Sequence, residues 1–276
     1  MPEAPTRVIT SVDGTPIAVF GTGPDATLSG ARPVVLVHGT TGDHTTFRVV
    51  GPLLAMSRPV HAIDRRGRGA SGDTVPYAIE REFEDVAAVA EALAVDAGGP
   101  VDLVGYSYGG RASLGAALLT DAVRRVVCYE GAPTPPGESY HPAGIEDRLR
   151  AALAAGDNDA ALAAFMREVV GMPEPELAAY RDNPVWPARA AAAGTILREL
   201  ESEADDTASL DRLGAVRQPV LQIVGGAGLP VFRAATQALD ARLANGRIVV
   251  IDGARHAAHH THPDAFVEAV EGFLAD

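Results

Sequence analysis

Short apolar runs alternate with helix-length segments along most of the 276-residue chain. Such continuous apolar runs are typical of strands that are covered on both faces of a parallel sheet. They read PVVLVHG, PVHAID, VDLVGYS, RRVVCYEG, PVLQIVGG and GRIVVIDG. The clearest helical segment places its apolar residues on one face and ends at Gly98-Gly99, and a hairpin is predicted around Asp13-Gly14. The pattern predicts an α/β fold with a mostly parallel central sheet and helices on both faces.

The stretch from Pro135 to Leu213 interrupts this alternation, because it contains no strand-like run. It is rich in Ala, Leu, Glu and Arg, and its prolines divide it into short helices. We expect a small helical cap at residues 135–213, inserted between the sixth and seventh strands of a core formed by residues 1–134 and 214–276. Open α/β sheets bind ligands at the carboxyl edge of their strands, so the cap is expected to cover that edge. A helical decoration remote from any site is the alternative.

Composition and net charge limit the kinds of molecule that the protein is expected to bind. Hydrophobic residues make up 47% of the chain and charged residues 21%, as in an ordinary globular protein. The formal net charge of −13 disfavours nucleic-acid binding and docking on anionic lipid, which both need a cationic face. The single Cys128 lies in an apolar run and is predicted to be buried. Without an apolar signal core or a run long enough to span a bilayer, the expected location is cytoplasmic.

A nucleophile elbow is predicted at Gly105-Tyr106-Ser107-Tyr108-Gly109. This G-x-S-x-G motif lies between a predicted strand and a predicted helix, which is the context that the motif requires. The flanking glycines remove side chains that would clash in so tight a turn. The helix amino terminus favours negative charge that develops at the serine. The strand-turn-helix context favours this interpretation over an ordinary serine N-cap.

A serine hydroxyl needs a base to remove its proton. His256 follows the run GRIVVID and precedes the last predicted helix, so it should lie at the same sheet edge as Ser107. The competitors His259, His260 and His262 are interpreted as solvated loop histidines. A zinc site in this cluster is disfavoured, because no carboxylate or cysteine has metal spacing. We therefore assign the base to His256 and predict no metal or organic cofactor.

Two backbone N–H groups are predicted to form an oxyanion hole. Tyr108, the residue after the nucleophile, supplies one, and Thr40, in the loop after VVLVHG, is the candidate for the other. In the same loop, His38 is interpreted as a structural brace rather than a second base. His44 is expected to be a surface-loop residue.

Together these segments resemble the α/β-hydrolase superfamily. The matching stretches VLVHGTTGD, AIDRRGRGASG, DLVGYSYGG, VVCYEG and IDGARHAAHHTHP occur in the family's order, and the resemblance extends over nearly the whole chain. The resemblance implies a serine–acid–histidine triad, an oxyanion hole and a cap after the sixth strand. It also implies that DRRGRG is a structural turn, whose three arginines we expect in a solvated, ion-paired loop. Epoxide hydrolases and haloalkane dehalogenases of this fold have aspartate at the elbow. Because this chain has serine there, epoxide hydrolysis and dehalogenation are disfavoured.

The triad acid departs from the commoner pattern of this family. Many members carry it after the seventh strand, where this chain reads GGAGLP and offers no carboxylate. Other members place it after the sixth strand, which here ends in Tyr129-Glu130-Gly131. Glu130 also keeps the chain order of serine, acid and histidine, so we predict it as the acid. Asp252 and a cap carboxylate are the alternatives.

These features predict a serine hydrolase that cleaves an ester, thioester or related small acyl substrate through an acyl-enzyme intermediate. One alternative is a lyase, C–C bond hydrolase, perhydrolase or tailoring enzyme of the same fold. Another is a hydrolase-like binding protein with little turnover, which the missing acid after the seventh strand favours. Four residues of the predicted cap are candidates for lining a substrate pocket: Phe165, Met166, Met172 and Trp186. They suggest an apolar substrate, although residues of this kind at helical spacing more often belong to the hydrophobic core. The partner expected is a small molecule, and no oligomeric state is indicated.

Overall fold

An eight-stranded sheet forms the central layer of the chain in a computed structural model that describes residues 3–24 and 30–275. The strand order is β1-β2-β4-β3-β5-β6-β7-β8, with β1–β2 and β2–β4 antiparallel and the other pairs parallel. The strands are β1 (Arg7–Thr10), β2 (Pro16–Thr22), β3 (Val34–Val37), β4 (Val60–Ile63), β5 (Val101–Tyr106), β6 (Val123–Tyr129), β7 (Val220–Gly225) and β8 (Gly246–Ile251). The predicted hairpin is the β1–β2 pair, whose turn contains Gly14 at a φ of 88°.

Helices cover both faces of this sheet. Those outside the stretch between β6 and β7 are α1 (Val50–Leu54), α2 (Ile79–Ala97), α3 (Tyr108–Ala117), α10 (Pro230–Asp240), α11 (Ala258–Thr261) and α12 (Pro263–Ala275). Every residue of β3 and β7 is buried, as expected of strands with apolar layers on both sides. The predicted fold class is therefore confirmed. None of the helices in the described residues is long and apolar enough to cross a membrane.

The chain between β6 and β7 is helical. Its helices are α4 (Ile145–Ala154), α5 (Asn158–Glu168), α6 (Glu174–Arg181), α7 (Trp186–Ala191), α8 (Gly194–Glu201) and α9 (Leu210–Leu213), with short 3-10 turns at Ser202–Ala204 and Asp206–Ala208. Several begin with a local cap; for example, the Asp157 carboxylate accepts a hydrogen bond from Ala160 N–H at the start of α5. We call residues 135–213 the helical segment.

A buried ion-pair network ties the helical segment to the core. Arg65, in the turn after β4, donates to the Glu82 carboxylate of α2 at 2.8 and 2.9 Å and to Glu199 of α8 at 2.7 Å. Arg68 pairs with the same two glutamates. Two cations and two anions thus balance one another where α2 and α8 meet the turn, and they fix α8 over the sheet edge.

The expectation that the arginines of DRRGRG form a solvated loop is wrong. The side chains of Arg65, Arg66 and Arg68 are all 0% exposed. Arg66 pairs with Asp85 of α2 and with Asp13 of the hairpin. The ion pairing is present, but water is excluded because helices and the hairpin close over the turn, which local sequence does not reveal.

Low pH is expected to lower the stability of the fold, because Glu82 becomes protonated. Burial alone would raise the pKa of its carboxyl, but the charges of Arg65 and Arg68 lower it from 4.5 to about 2. A depressed folded-state pKa stabilises the protein above the unfolded value and loses that contribution as pH falls toward the folded value. The free energy of unfolding, measured by urea denaturation, should therefore fall between about pH 4.5 and pH 2.

The matched variants are Glu82→Gln and Glu84→Gln, which lie on the same helix. Glu84 is paired with Arg81 at the surface, so its replacement should leave the acid profile unchanged. Glu82→Gln should destabilise the protein at neutral pH and flatten the profile, because it leaves buried arginines short of a partner. Identical acid profiles for Glu82→Gln and the unmodified protein would contradict this account.

Candidate active site

Ser107 lies on the tight turn between β5 and α3. Its backbone has a φ of 54° and a ψ of −128°, a strained conformation for a residue with a side chain. Ser107 N–H donates to Tyr129 O at 2.7 Å, and Gly110 N–H donates to Ser107 O at 2.8 Å. The turn is therefore fixed on both sides, by β6 and by its own helix.

Close backbone contacts explain the glycines of this turn. A Cβ at Gly105 would lie 2.4 Å from Gly109 O, and a Cβ at Gly109 would lie 2.2 Å from Val37 O. Gly131, which follows β6, is equally close to the elbow, since a Cβ added there would lie 2.4 Å from Ser107 O. Three strands thus meet at the elbow with no room for a side chain.

The structure brings Glu130 and His256 into contact. Glu130 Oε2 lies 2.5 Å from His256 Nδ1, and the two side chains are 0% and 6% exposed. The other carboxylate oxygen accepts a hydrogen bond from Gly225 N–H at 2.7 Å. His256 also stacks on the Phe232 ring, with ring centroids 4.4 Å apart. His256 and Ser107 line the same cavity. Because Nδ1 is hydrogen-bonded to Glu130, Nε2 is the ring nitrogen that remains available in that cavity.

The loop that carries His256 is anchored to β6 by Tyr129. The Tyr129 hydroxyl donates to Arg255 O and accepts from Ala258 N–H at 2.9 Å, so it holds the chain on both sides of the histidine. Sequence reasoning gave Tyr129 no such role. Its position directly before Glu130 was the available signal, because both residues end the same strand. Asp252, the alternative acid, is exposed.

The interpretation of His259 as a solvated loop residue is wrong. It lies in the short helix α11, is 1% exposed, and packs against the rings of Tyr106 and Phe47. Burial holds the pKa of its imidazole well below the usual value. The neighbouring His260 is less deeply placed, and burial together with Arg48 lowers its pKa to about 4. Both imidazoles are therefore neutral near pH 7.

His38 and His44 brace the loop after β3. His38 is fully buried; its Nε2 accepts from Arg65 N–H at 3.0 Å and its Nδ1 lies 2.8 Å from Gly39 O, which fits the expected structural role. His44 stacks on Phe20 at 3.5 Å and its Nδ1 lies 2.9 Å from Asp64 Oδ1. The His44 side chain is only 12% exposed, so the expectation of a surface-loop residue is wrong.

Thr40 and Tyr108 line the same cavity as Ser107. Tyr108 is the first residue of α3, so its N–H is among the amides that have no partner within the helix. Thr40 follows Gly39, where a Cβ would lie 2.9 Å from Ser107 Cβ. The loop that contains Thr40 is therefore in direct contact with the elbow.

A cavity of about 410 Å³ lies over Ser107, between the sheet edge and the helical segment. Three of the four predicted lining residues, Phe165, Met166 and Met172, line it. Trp186 is not among its lining residues; it packs edge-on against Tyr180 and donates to Asp159 instead. Within residues 3–24 and 30–275, no group of three His, Cys, Asp or Glu side chains is arranged to hold a metal ion.

Sequence reasoning missed Arg111, which also lines the cavity and is 3% exposed. Residues four apart on a helix share a face, and Arg111 is four residues beyond Ser107 on α3. That spacing was the signal that could have found it.

Residues 34–269 match the profile of the alpha/beta hydrolase family. The chain belongs to this family. Among its relatives, a pimeloyl-[acyl-carrier protein] methyl ester esterase of Neisseria meningitidis serogroup B (strain MC58) is 27% identical over 91% of this chain and 94% of its own length. Esterase YbfF of Escherichia coli K12 is 25% identical over 88% of this chain and 93% of its own.

Among solved structures, an alpha/beta hydrolase from Sphaerobacter thermophilus DSM 20745 superimposes with a TM-score of 0.78 and is 34% identical, covering 96% of this chain and 100% of the other. The family and the fold expected from the sequence are thus confirmed. The esterase names of the relatives also agree with the expectation of an esterase-like hydrolase.

Close packing at the elbow makes Gly109 intolerant of a side chain. Gly109→Ala would push a Cβ against the backbone of β3 and should destabilise the protein by about 1–3 kcal/mol or more, as overpacking does. Gly272→Ala is the matched control, because Gly272 is exposed on α12 and a Cβ there would meet nothing within 4 Å. It should stabilise α12 by about 0.5–1 kcal/mol. Urea denaturation measures both, and equal effects would refute the packing argument.

Proposed function

We propose that the chain is a serine esterase that cleaves an ester or thioester of a small acyl substrate through an acyl-enzyme intermediate. The observation that carries this proposal is the buried Glu130–His256 hydrogen bond beside the strained Ser107, with all three residues lining one cavity. Esterases among the relatives support the same reaction class.

In this proposal His256 is the general base. Its Nδ1–H donates to Glu130, so its Nε2 carries the lone pair that removes the proton from the Ser107 hydroxyl. The Glu130 carboxylate then stabilises the imidazolium, and the hydrogen bond from Gly225 N–H fixes the carboxylate in place. The stacked Phe232 ring limits the orientations open to the imidazole.

Attack by the Ser107 oxygen on the carbonyl carbon places negative charge on the carbonyl oxygen. We assign the stabilisation of that charge to the N–H groups of Tyr108 and Thr40, aided by the amino terminus of α3. His256 passes its proton to the departing alcohol or thiol, and the acyl group remains on Ser107. Water then attacks the acyl-enzyme with His256 again as base, which releases the acid and regenerates the serine. These steps need no cofactor.

We assign the helical segment the role of a cap over this reaction. It contributes apolar side chains to the cavity wall, including Phe165, Met166 and Leu200, which favours binding of an apolar portion of the substrate. The interpretation as a binding protein without turnover rested on the missing carboxylate after β7. Glu130 occupies the contact that such a carboxylate would make, which favours turnover.

Ser107→Ala is expected to abolish ester hydrolysis while the protein stays folded, since it removes only the attacking oxygen. The measurement is release of p-nitrophenol from p-nitrophenyl acetate, together with labelling by a fluorophosphonate probe. The unmodified protein should show burst release and covalent labelling, and the variant neither. Unchanged melting by circular dichroism is the control for folding. A variant that kept its rate and its labelling would rule out Ser107 as the nucleophile.

Glu130→Gln is expected to lower kcat by roughly 10³–10⁴-fold, because an amide stabilises the wrong imidazole tautomer and cannot stabilise the imidazolium. Asp252→Asn is the matched control and should keep its rate, since Asp252 is exposed. Steady-state kinetics on the same ester, with melting temperatures for both variants, provide the comparison. Loss of activity in Asp252→Asn alone would move the acid to Asp252.

A further inference from the structure

We propose that Arg111 forms an anion subsite in the active-site cavity, which binds a carboxylate carried by the substrate. This inference rests on the proposed function, since it takes the cavity over Ser107 as the substrate pocket. Arg111 is 3% exposed and lines that cavity together with Ser107 and His256. A buried guanidinium is costly unless its charge and its donors are satisfied, so the partners of Arg111 decide its role.

Those partners leave most of its donors open. Arg111 Nε and Nη1 have no hydrogen-bond partner among the described residues. Nη2 makes only a long contact, 3.5 Å, with Ala132 O. A guanidinium carries five N–H donors in a planar fork that matches a carboxylate. A carboxylate in the cavity would satisfy donors that the protein itself leaves unpaired.

The guanidinium is nevertheless held in position. Its central carbon lies 5.7 Å from the centroid of the Tyr108 ring and 5.9 Å from that of Tyr140, both within reach of cation–π attraction. The Tyr140 hydroxyl donates to Ala132 O, which fixes that ring. Arg111 is thus oriented by aromatic faces that do not use its N–H groups.

One carboxylate lies near Arg111 without saturating it. Glu203 Oε1 is 3.9 Å from Arg111 Nη1, beyond hydrogen-bond distance, and Glu203 Oε2 is 3.9 Å from His141 Nε2. Burial raises the pKa of the Glu203 carboxyl above its usual value. A carboxyl that protonates more readily repels a bound anion less. Glu203 therefore lies near Arg111 but does not satisfy its N–H donors.

Arg111 lies about one helical turn beyond Ser107. The separation of four residues corresponds to about 6 Å of rise along the axis of α3. Both residues line the same cavity, so one substrate molecule can place its ester carbonyl at Ser107 and a carboxylate at Arg111. The substrate class that fits is a half ester of a dicarboxylic acid, with the apolar lining beside its other group.

The first test compares p-nitrophenyl hemiglutarate with the neutral p-nitrophenyl hexanoate. The unmodified enzyme should favour the charged ester, and Arg111→Met should reduce the ratio of the two kcat/KM values at least about tenfold, mainly through KM, as loss of a charged hydrogen bond does. Arg111→Lys should retain part of the preference. Arg148→Met, which alters an exposed arginine of the helical segment that does not line the cavity, is the control and should keep the ratio.

The second test separates this inference from the proposed function. Calorimetric titration of Ser107→Ala with glutarate should show binding that is lost in the double variant with Arg111→Met. Such binding would support the subsite even if no ester were hydrolysed. If esters are hydrolysed through Ser107 but the unmodified enzyme does not favour the charged ester, the subsite is refuted and the esterase proposal stands. If Arg111→Met fails to fold, the preference of the unmodified enzyme between the charged and the neutral ester still tests the subsite.

Discussion

Close backbone packing around Ser107 is the constraint on which the rest of the site depends. The sheet order places β3 and β6 on either side of β5, so the loops that follow these three strands converge at one point. There Gly109 contacts Val37 O and Gly131 contacts Ser107 O, at approaches that admit no Cβ. The strained φ of Ser107 persists because neighbouring strands hold it from both sides. A serine fixed in this way cannot relax away from the cavity.

The turn after β7, which offers no carboxylate of its own, contacts Glu130 from the neighbouring strand end. Glu130 directly follows β6 and has a φ of 48°, and its side chain reaches the β7 turn. Gly225 N–H donates to one carboxylate oxygen, and a Cβ at Gly228 would lie 3.4 Å from that same oxygen. The glycine-rich turn therefore provides a hydrogen-bond donor for the carboxylate, and a Cβ at Gly228 would make only an ordinary van der Waals contact with it.

Local patterns account for the parts of the structure that could be predicted from the sequence. The strands, the hairpin and the elbow follow from apolar runs and glycine spacing, which depend on residues close in the chain. The contact between Glu130 and His256 could be anticipated because both follow strands that end at one edge of the sheet. Family resemblance, rather than periodicity, supplied the choice of Glu130. The predicted cap boundaries at 135 and 213 remain an interpretation of the helical segment.

Burial of polar side chains could not be predicted, because it depends on elements distant in sequence. Arg65 is enclosed by α2 and α8, and Glu199 of α8 lies 134 residues further along the chain. His259 is buried because α11 places it against Tyr106 of β5. Neither partner is visible in a short window. A charged or imidazole side chain can therefore look like a loop residue in the sequence and be buried in the fold.

Two buried arginines at this edge, Arg65 and Arg111, differ in how completely the protein pairs them. Arg65 makes three hydrogen bonds to the carboxylates of Glu82 and Glu199 and a fourth to His38 O, so each of its nitrogens has a partner. Arg111 has its nearest carboxylate at 3.9 Å and two nitrogens without a partner. The net charge of −13 means that carboxylates outnumber cationic side chains in this chain. A lack of carboxylates therefore does not explain why Arg111 is incompletely paired. Because an unsatisfied buried donor is destabilising, the contrast favours a ligand, rather than the fold, as the group that completes the Arg111 site.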